Sequence, residues 1–162
     1  MIATYVMPSK GDVIYEVDGK VVEPESVYAH ISFCAPYLEL IEEMTLTEFL
    51  EYHFTFKKPL LPVREMIRKI GLTNSADKWI EKFSSGMKQR VKLAQAIFAD
   101  TPALFLDEPC TNLDEQGIAL YRSLIEEFCR HRILVVASND HNEFDVCQRK
   151  YSLEKKGLMT HF

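Results

Sequence analysis

Ala103-Leu104-Phe105-Leu106 runs without a polar member into Asp107-Glu108-Pro109. An unbroken apolar run of this kind reads as a parallel strand buried on both faces, because a strand with one wet face would alternate. Further on, Ile133-Leu134-Val135-Val136-Ala137 repeats the pattern and ends in Ser138-Asn139-Asp140. Between the two, Asp114 is placed to cap an amphipathic helix whose apolar residues Ile118, Tyr121, Ile125 and Phe128 recur at helical spacing. A strand, a crossover helix and a second strand form a unit of fixed hand, so the strands should be parallel neighbours or near neighbours. The expected fold class is α/β.

In open parallel sheets, ligands bind outside the carboxyl ends of the strands, where loop backbones and helix N-termini gather. Topology therefore brings Asp107-Glu108 and Ser138-Asn139-Asp140 to one rim. Two adjacent acids after a buried strand either cap it at the surface or meet a Mg²⁺ ion carrying a phosphate, which would offset their desolvation. Upstream, Ser84 or Ser85 caps a helix over residues 87–99 with an apolar stripe of Val91, Ala94, Ile97 and Phe98, and Asp100-Thr101-Pro102 stops it. Free backbone amides at Ser84-Ser85-Gly86 make this opening an anion site. Lys88, Arg90 and Lys92 crowd the same turns, where the helix dipole disfavours each cation by about 0.3–1 kcal/mol. An anion supplied from outside would account for that crowding, and a capped helix with solvated cations is the simpler alternative.

Working further out, residues 12–22 alternate and turn at Asp18-Gly19, which predicts an antiparallel hairpin. Residues 2–7 read as the tail of a helix ended by Pro8-Ser9-Lys10-Gly11, and residues 31–34 as a short strand. From Thr45 onward helix formers dominate. Thr45 or Thr47 serves as a cap, Phe49, Tyr52, Phe54 and Phe56 supply aromatic bulk, and a break between Pro59 and Pro62 precedes a helix over residues 63–70. A last hairpin is expected about Lys155-Lys156-Gly157.

The 162 residues suggest one domain, and 47% hydrophobic with 27% charged residues is enough to bury a core. Nineteen Lys and Arg against 24 Asp and Glu give a net charge of -5, which argues against coating nucleic acid. Cys34, Cys110, Cys129 and Cys147 form no C-x-x-C pair, so neither a zinc knuckle nor a disulfide framework is indicated and a reducing cytoplasm is expected. No apolar run approaches the roughly 18 residues of a membrane-spanning helix.

Taken in order and spacing, Phe83-Ser84-Ser85-Gly86-Met87-Lys88-Gln89-Arg90-Val91-Lys92-Leu93-Ala94, then Leu104-Phe105-Leu106-Asp107-Glu108-Pro109, then Thr111-Asn112-Leu113-Asp114 resemble the signature motif, Walker B and D-loop of the ATP-binding cassette family. The resemblance runs from just after Walker A to the C-terminus. It implies a P-loop NTPase-like parallel sheet core with an antiparallel hairpin region and an inserted helical subdomain over residues 45–83, the N-terminal strands and phosphate loop being absent from a single, incomplete domain spanning 1–162. It also implies ATP and Mg²⁺ as cofactors. Asp107 would hold the metal, and Glu108 would act as general base on the attacking water. Ser84, Ser85, Gly86 and Asp114 would meet, in trans, a nucleotide held mainly by the opposite subunit of a homo- or heterodimer, with Asn112 beside the seam. The implied partner is a transmembrane permease subunit contacted by the helical subdomain, with no nucleic acid expected. The implied place is cytoplasmic, peripheral on the inner face of the cell membrane.

The chain departs from the family pattern at several positions. Ser85 stands where the family usually has Gly, which puts a Cβ where backbone approaches phosphate. Asn139 stands at the switch position usually held by His, and is ranked with Glu108 among the catalytic candidates; His141 is the alternative, reached by a two-residue slip of register. An Asn amide donates a hydrogen bond but carries no charge. Pro36 aligns with the Q-loop Gln and offers no side-chain ligand. None of the six glycines belongs to a G-x-x-x-x-G-K-[ST] motif. The expectation is that these residues alone bind ATP poorly, hydrolyse it negligibly, and expose apolar surface where a preceding strand and helix would pack. Two functional readings follow: the ATP-hydrolysing subunit of a transporter, or a non-catalytic or regulatory partner that pairs with a complete ATPase. A nucleic-acid role, as in chromosome-maintenance or ribosome-acting relatives, lacks support because there is neither a coiled-coil insertion nor a tandem cassette.

Overall fold

The protein is described by a computed structural model over residues 10–154 and 157–161. The expected helix tail over residues 2–7 lies outside the described residues. At the centre stands a parallel sheet of three strands in the order β3 (Ile31–Cys34), β4 (Ala103–Asp107) and β5 (Ile133–Ala137). The register sets Cys34 beside Leu106 and Asp107 beside Ala137, so β4 and β5 finish at one rim as their topology requires. Leu104 and Leu106 of β4 are buried in the core, whereas Ala103 and Phe105 are half-buried.

The expectation that both apolar strands are covered on both faces fails for β5. Ile133 is 66% exposed, and the rest of the strand is half-buried or exposed. Among the described residues β5 pairs only with β4, so one long edge has no neighbour and its apolar composition is not matched by burial.

Helix α3 (Ser85–Ile97) packs against β3 and against α4 (Glu115–Phe128), and the edge of the Phe98 ring meets Phe128 with centroids 5.1 Å apart. Ser84 caps α3, accepting a hydrogen bond from the Met87 amide (3.2 Å). At the opposite end of the sheet, Arg132 donates to the Ile97 carbonyl (2.7 Å), to Ser32 (2.8 Å) and to Thr101 (2.7 Å), tying all three strands to the end of α3.

The stretch over residues 45–83 contains α1 (Leu46–His53), α2 (Val63–Lys69) and single turns at Thr73–Ser75 and Ile80–Lys82. Thr45, not Thr47, is the cap of α1: its hydroxyl accepts from the Glu48 amide (3.3 Å) while Glu48 accepts from the Thr45 amide (2.9 Å), a reciprocal capping box. Leu46, Leu50, Met66, Ile70 and Ile80 bury themselves in the same apolar core as Leu104.

Two antiparallel hairpins complete the chain. β1 (Tyr15–Val17) and β2 (Lys20–Val22) are joined through Asp18 and Gly19 with φ of +52° and +73°, the left-handed pair that a two-residue hairpin turn needs. β6 (Lys150–Glu154) pairs with β7 (Gly157–His161); the expected turn residues Lys155 and Lys156 lie outside the described residues. No helix among the described residues is long and apolar enough to cross a membrane.

Candidate functional site

The site grows out of the carboxyl ends of β4 and β5. Asp107 ends β4, half-buried, opposite Ala137. The chain then turns sharply: Glu108 adopts φ +42° while its amide donates to the Ala137 carbonyl (2.9 Å), and Asn112 adopts φ +64°. A non-glycine residue in the left-handed region is strained, and such strain persists only where surrounding contacts enforce it. The exposed Glu108 carboxylate enters a cleft of about 250 Å³ that Thr111, Asn139, Asp140 and Glu143 also line. Glu108 and Asn139 are thus brought together across the gap between two strand ends, as parallel topology predicts. His141 opens the four-residue helix α5 (His141–Phe144), is exposed, does not line the cleft, and sets its ring 4.9 Å from Phe144.

The helix opening forms a separate region. Ser84 and Ser85 are exposed outside that cleft. Gly86 is required by close approach, since a Cβ there would stand 3.0 Å from the Asn112 carbonyl oxygen. Asp114 caps α4 by accepting from the Gly117 amide (2.8 Å) and pairs with Arg90 at 3.5 Å. Asp107, Ser84, Ser85 and Asp114 therefore do not share one pocket with Glu108 and Asn139; the turn over residues 107–112 connects the two regions.

The cationic collar of α3 has internal partners, which replaces the explanation that an outside anion is needed to account for it. Lys88 binds Glu42 (2.5 Å), Arg90 binds Asp114, and Lys92 donates to the Pro36 carbonyl (2.6 Å). The loop carrying Pro36 is thus held to α3 through its backbone, where the resemblance implies a glutamine side chain. A wider cleft of about 570 Å³ opens beside these residues, between Tyr37, Glu39, Glu43 and Lys88.

Two side chains with no role assigned from sequence converge on the turn. Buried Gln89 of α3 donates to the Pro109 carbonyl (2.7 Å), and buried Glu143 of α5 accepts from the Cys110 amide (2.7 Å). Gln89 could have been found as the polar residue one turn before buried Leu93. Glu143 had no readable signal, because a four-residue helix is too short to show a period. Cys110 itself is inert as a nucleophile, since burial, then Glu143 and Asp140, push its thiol up to about 12.

Among the described residues no cluster of three or more His, Cys, Asp or Glu could hold a metal ion alone. Mg²⁺ fits at Asp107 only as an ion shared between one carboxylate, phosphate oxygens and water, a coordination this ion favours.

Comparison with known proteins agrees with this architecture. Residues 1–111 match the family model described as ABC transporter, and the chain belongs to that family. It is similar to the uncharacterized ABC transporter ATP-binding protein YybJ of Bacillus subtilis (strain 168), at 29% identity over 86% of this chain and 68% of that protein. YhcH of the same organism, another uncharacterized ABC transporter ATP-binding protein, is 28% identical over 93% of this chain and 51% of its own length. A solved structure of the ATP binding subunit of an ABC transporter superposes with a TM-score of 0.79 at 22% identity, over 98% of this chain and 70% of that one, which shows the shared fold. The chain therefore spans roughly half to two thirds of the length of these two Bacillus relatives.

Proposed function

We propose that the chain is the ATP-hydrolysing subunit of a membrane transporter, working in a homo- or heterodimer of cassettes bound to a transmembrane permease at the cytoplasmic face of the cell membrane. The observation that carries this reading is the placement of Glu108 and Asn139 in one cleft at the rim of a parallel sheet, while Ser84 and Ser85 stand exposed and Gly86 half-buried outside it. Two separated half-sites suit a protein whose nucleotide is gripped by residues of two copies. Glu108 orients the attacking water and takes its proton, and the Asn139 amide donates to the terminal phosphate. Asp107 holds Mg²⁺. From the other copy, Ser84, Ser85 and the Gly86 amide face that phosphate, with Asp114 beside them at the dimer seam of the bound nucleotide.

No G-x-x-x-x-G-K-[ST] sequence lies among the 162 residues, so this chain by itself does not offer the amide cradle and lysine that such a loop gives the β- and γ-phosphates. Calorimetric titration of Mg-ATP into the 162-residue chain should give a Kd weaker than about 1 mM, with no turnover above blank. Joining the strand and phosphate-loop segment of a complete cassette ahead of residue 1 supplies that cradle beside Glu108: the joined protein should associate in an ATP-dependent way and turn over ATP, and Glu108→Gln should lower that turnover. Tight binding by the 162-residue chain alone overturns the expectation of a missing cradle, and turnover of the joined protein indifferent to Glu108 overturns the proposal.

A second reading, a non-catalytic or regulatory partner of a complete ATPase, is favoured by Pro36, whose carbonyl is taken by Lys92 in place of a Q-loop side chain. It predicts ATP-dependent association of this chain with a complete cassette, and turnover of the joined protein that does not depend on Glu108.

A further inference from the structure

The carbonyl of Pro109 and the amide of Cys110 belong to one peptide group, and that group is gripped from both sides. Gln89 Nε2 donates to its oxygen (2.7 Å), while Glu143 Oε1 accepts from its nitrogen (2.7 Å). Both side chains are almost fully buried, Gln89 at 3% exposure and Glu143 at 4%. They come from different elements: Gln89 lies one turn into α3, beyond the helix opening, and Glu143 sits in α5, just past the strand end that carries Asn139. Glu143 is itself held, because its backbone carbonyl accepts from the buried Tyr121 hydroxyl of α4 (2.8 Å) and its amide donates to Asp140 (3.1 Å). The second carboxylate oxygen of Glu143 is buried without a partner. A buried carboxylate with an oxygen left bare is costly, so hydrophobic packing does not explain its presence.

The gripped peptide follows Glu108 by one residue, and Glu108 is the residue held at φ +42°. Glu108 itself is held by its amide donating to the Ala137 carbonyl (2.9 Å), by its carbonyl accepting from the Thr111 amide (3.2 Å) and by its carboxylate accepting from the Thr111 hydroxyl (3.5 Å), and Thr111 is the residue that directly follows the gripped peptide. We propose that Gln89 and Glu143 are positioning residues: together they clamp the Pro109–Cys110 peptide, hold Glu108 in its left-handed conformation and so aim its carboxylate into the cleft. Because Gln89 rides on α3, the clamp also joins the helix opening, with its exposed Ser84 and Ser85, mechanically to Glu108. The conformational part of this proposal stands on the chain alone, and the catalytic part rests on the hydrolytic role given to Glu108 above.

Three variants test it: Gln89→Met and Glu143→Met remove one jaw each, and Glu143→Gln keeps an acceptor for the Cys110 amide. In NMR spectra of the chain, the Cα and Cβ shifts of Glu108 report its left-handed state, and resonances of β4 and α4 confirm that each variant is folded. Both Met variants should move the Glu108 shifts away from left-handed values, and Glu143→Gln should leave them in place. In the joined protein that carries a phosphate loop ahead of residue 1, the Met variants should lower kcat by about tenfold or more with KM for ATP unchanged, and Glu143→Gln should keep kcat within about threefold of wild type. Unchanged Glu108 shifts in both folded Met variants overturn the clamp. Altered shifts with unchanged kcat, in a joined protein whose turnover depends on Glu108, overturn its catalytic consequence. If the shifts respond as expected while wild-type turnover ignores Glu108, the clamp is supported and the hydrolytic reading is the part that fails.

Discussion

At Glu108 the backbone carries strain where the proposed chemistry needs a carboxylate. A left-handed non-glycine residue costs on the order of 1 kcal/mol or more, and glycine would adopt φ +42° freely. Glu108→Gly is therefore expected to raise stability by about 1 kcal/mol, read as a higher urea midpoint at unchanged slope, while removing any turnover of an assembled pair. Asn139 makes the opposite test. Its amide lines the cleft with Glu108 but cannot hold a proton or a charge, so Asn139→His in a complete cassette pair should increase ATP turnover; no gain would count against Asn139 as the switch residue. The meeting of both residues at one rim was legible in the sequence, because each lies within two residues of the end of an apolar strand, whereas the roles given to them come from the family resemblance. Gln89 and Glu143 were not, since a hydrogen bond from a buried side chain to a distant backbone leaves no pattern along the chain.

The longer helices were legible nearly to their caps, because capping is a local transaction between a side chain and amides one turn away, though the sequence does not choose between Ser84 and Ser85 or between Thr45 and Thr47, and a helix as short as α5 shows no period. Ser84, Asp114 and Thr45 all stand where their polar oxygens suggested. For α4 this yields a direct expectation. Asp114→Ala should cost about 1 kcal/mol by orphaning the Gly117 amide, Asp114→Asn should recover most of it, and thermal unfolding of the two variants separates them. The strands were legible in position and direction but not in burial, because burial of a strand depends on neighbours that its own residues do not name. β4 and β5 are equally apolar, yet Leu104 is fully buried and Ile133 is largely exposed. Leu104→Ala should accordingly cost about 2–5 kcal/mol, whereas Ile133→Ala should stay within roughly 0.5 kcal/mol, a contrast that chemical denaturation resolves easily.

Over the whole molecule, the buried titratable groups define a pH window for stability. Burial, and after it a backbone contact that opposes and Lys57 that assists, leaves the His53 imidazole below the usual histidine value of 6.5. Its Nε2 is buried without a partner, between Phe49 and Phe54. A histidine depressed in the folded state takes its proton more readily when unfolded, so its contribution is complete above pH 6.5 and is lost as the pH falls below that value. The thiols act at the other end. Burial pushes Cys34 and Cys110 up from 9.0 to about 12 and Cys129 to about 11. An acid whose folded pKa is raised favours folding fully below its unfolded value, and that contribution drains away as the pH climbs from 9.0 through the folded values. Stability should therefore plateau between these two edges and fall on both sides. The arms are separable by mutation. His53→Gln should flatten the acid limb without changing the alkaline one, and Cys34→Ala should lower the plateau through its small cavity while making the alkaline limb shallower. Urea midpoints measured from pH 5 to pH 10 in the three proteins check this, and an alkaline slope unchanged by Cys34→Ala would place the ionising group elsewhere.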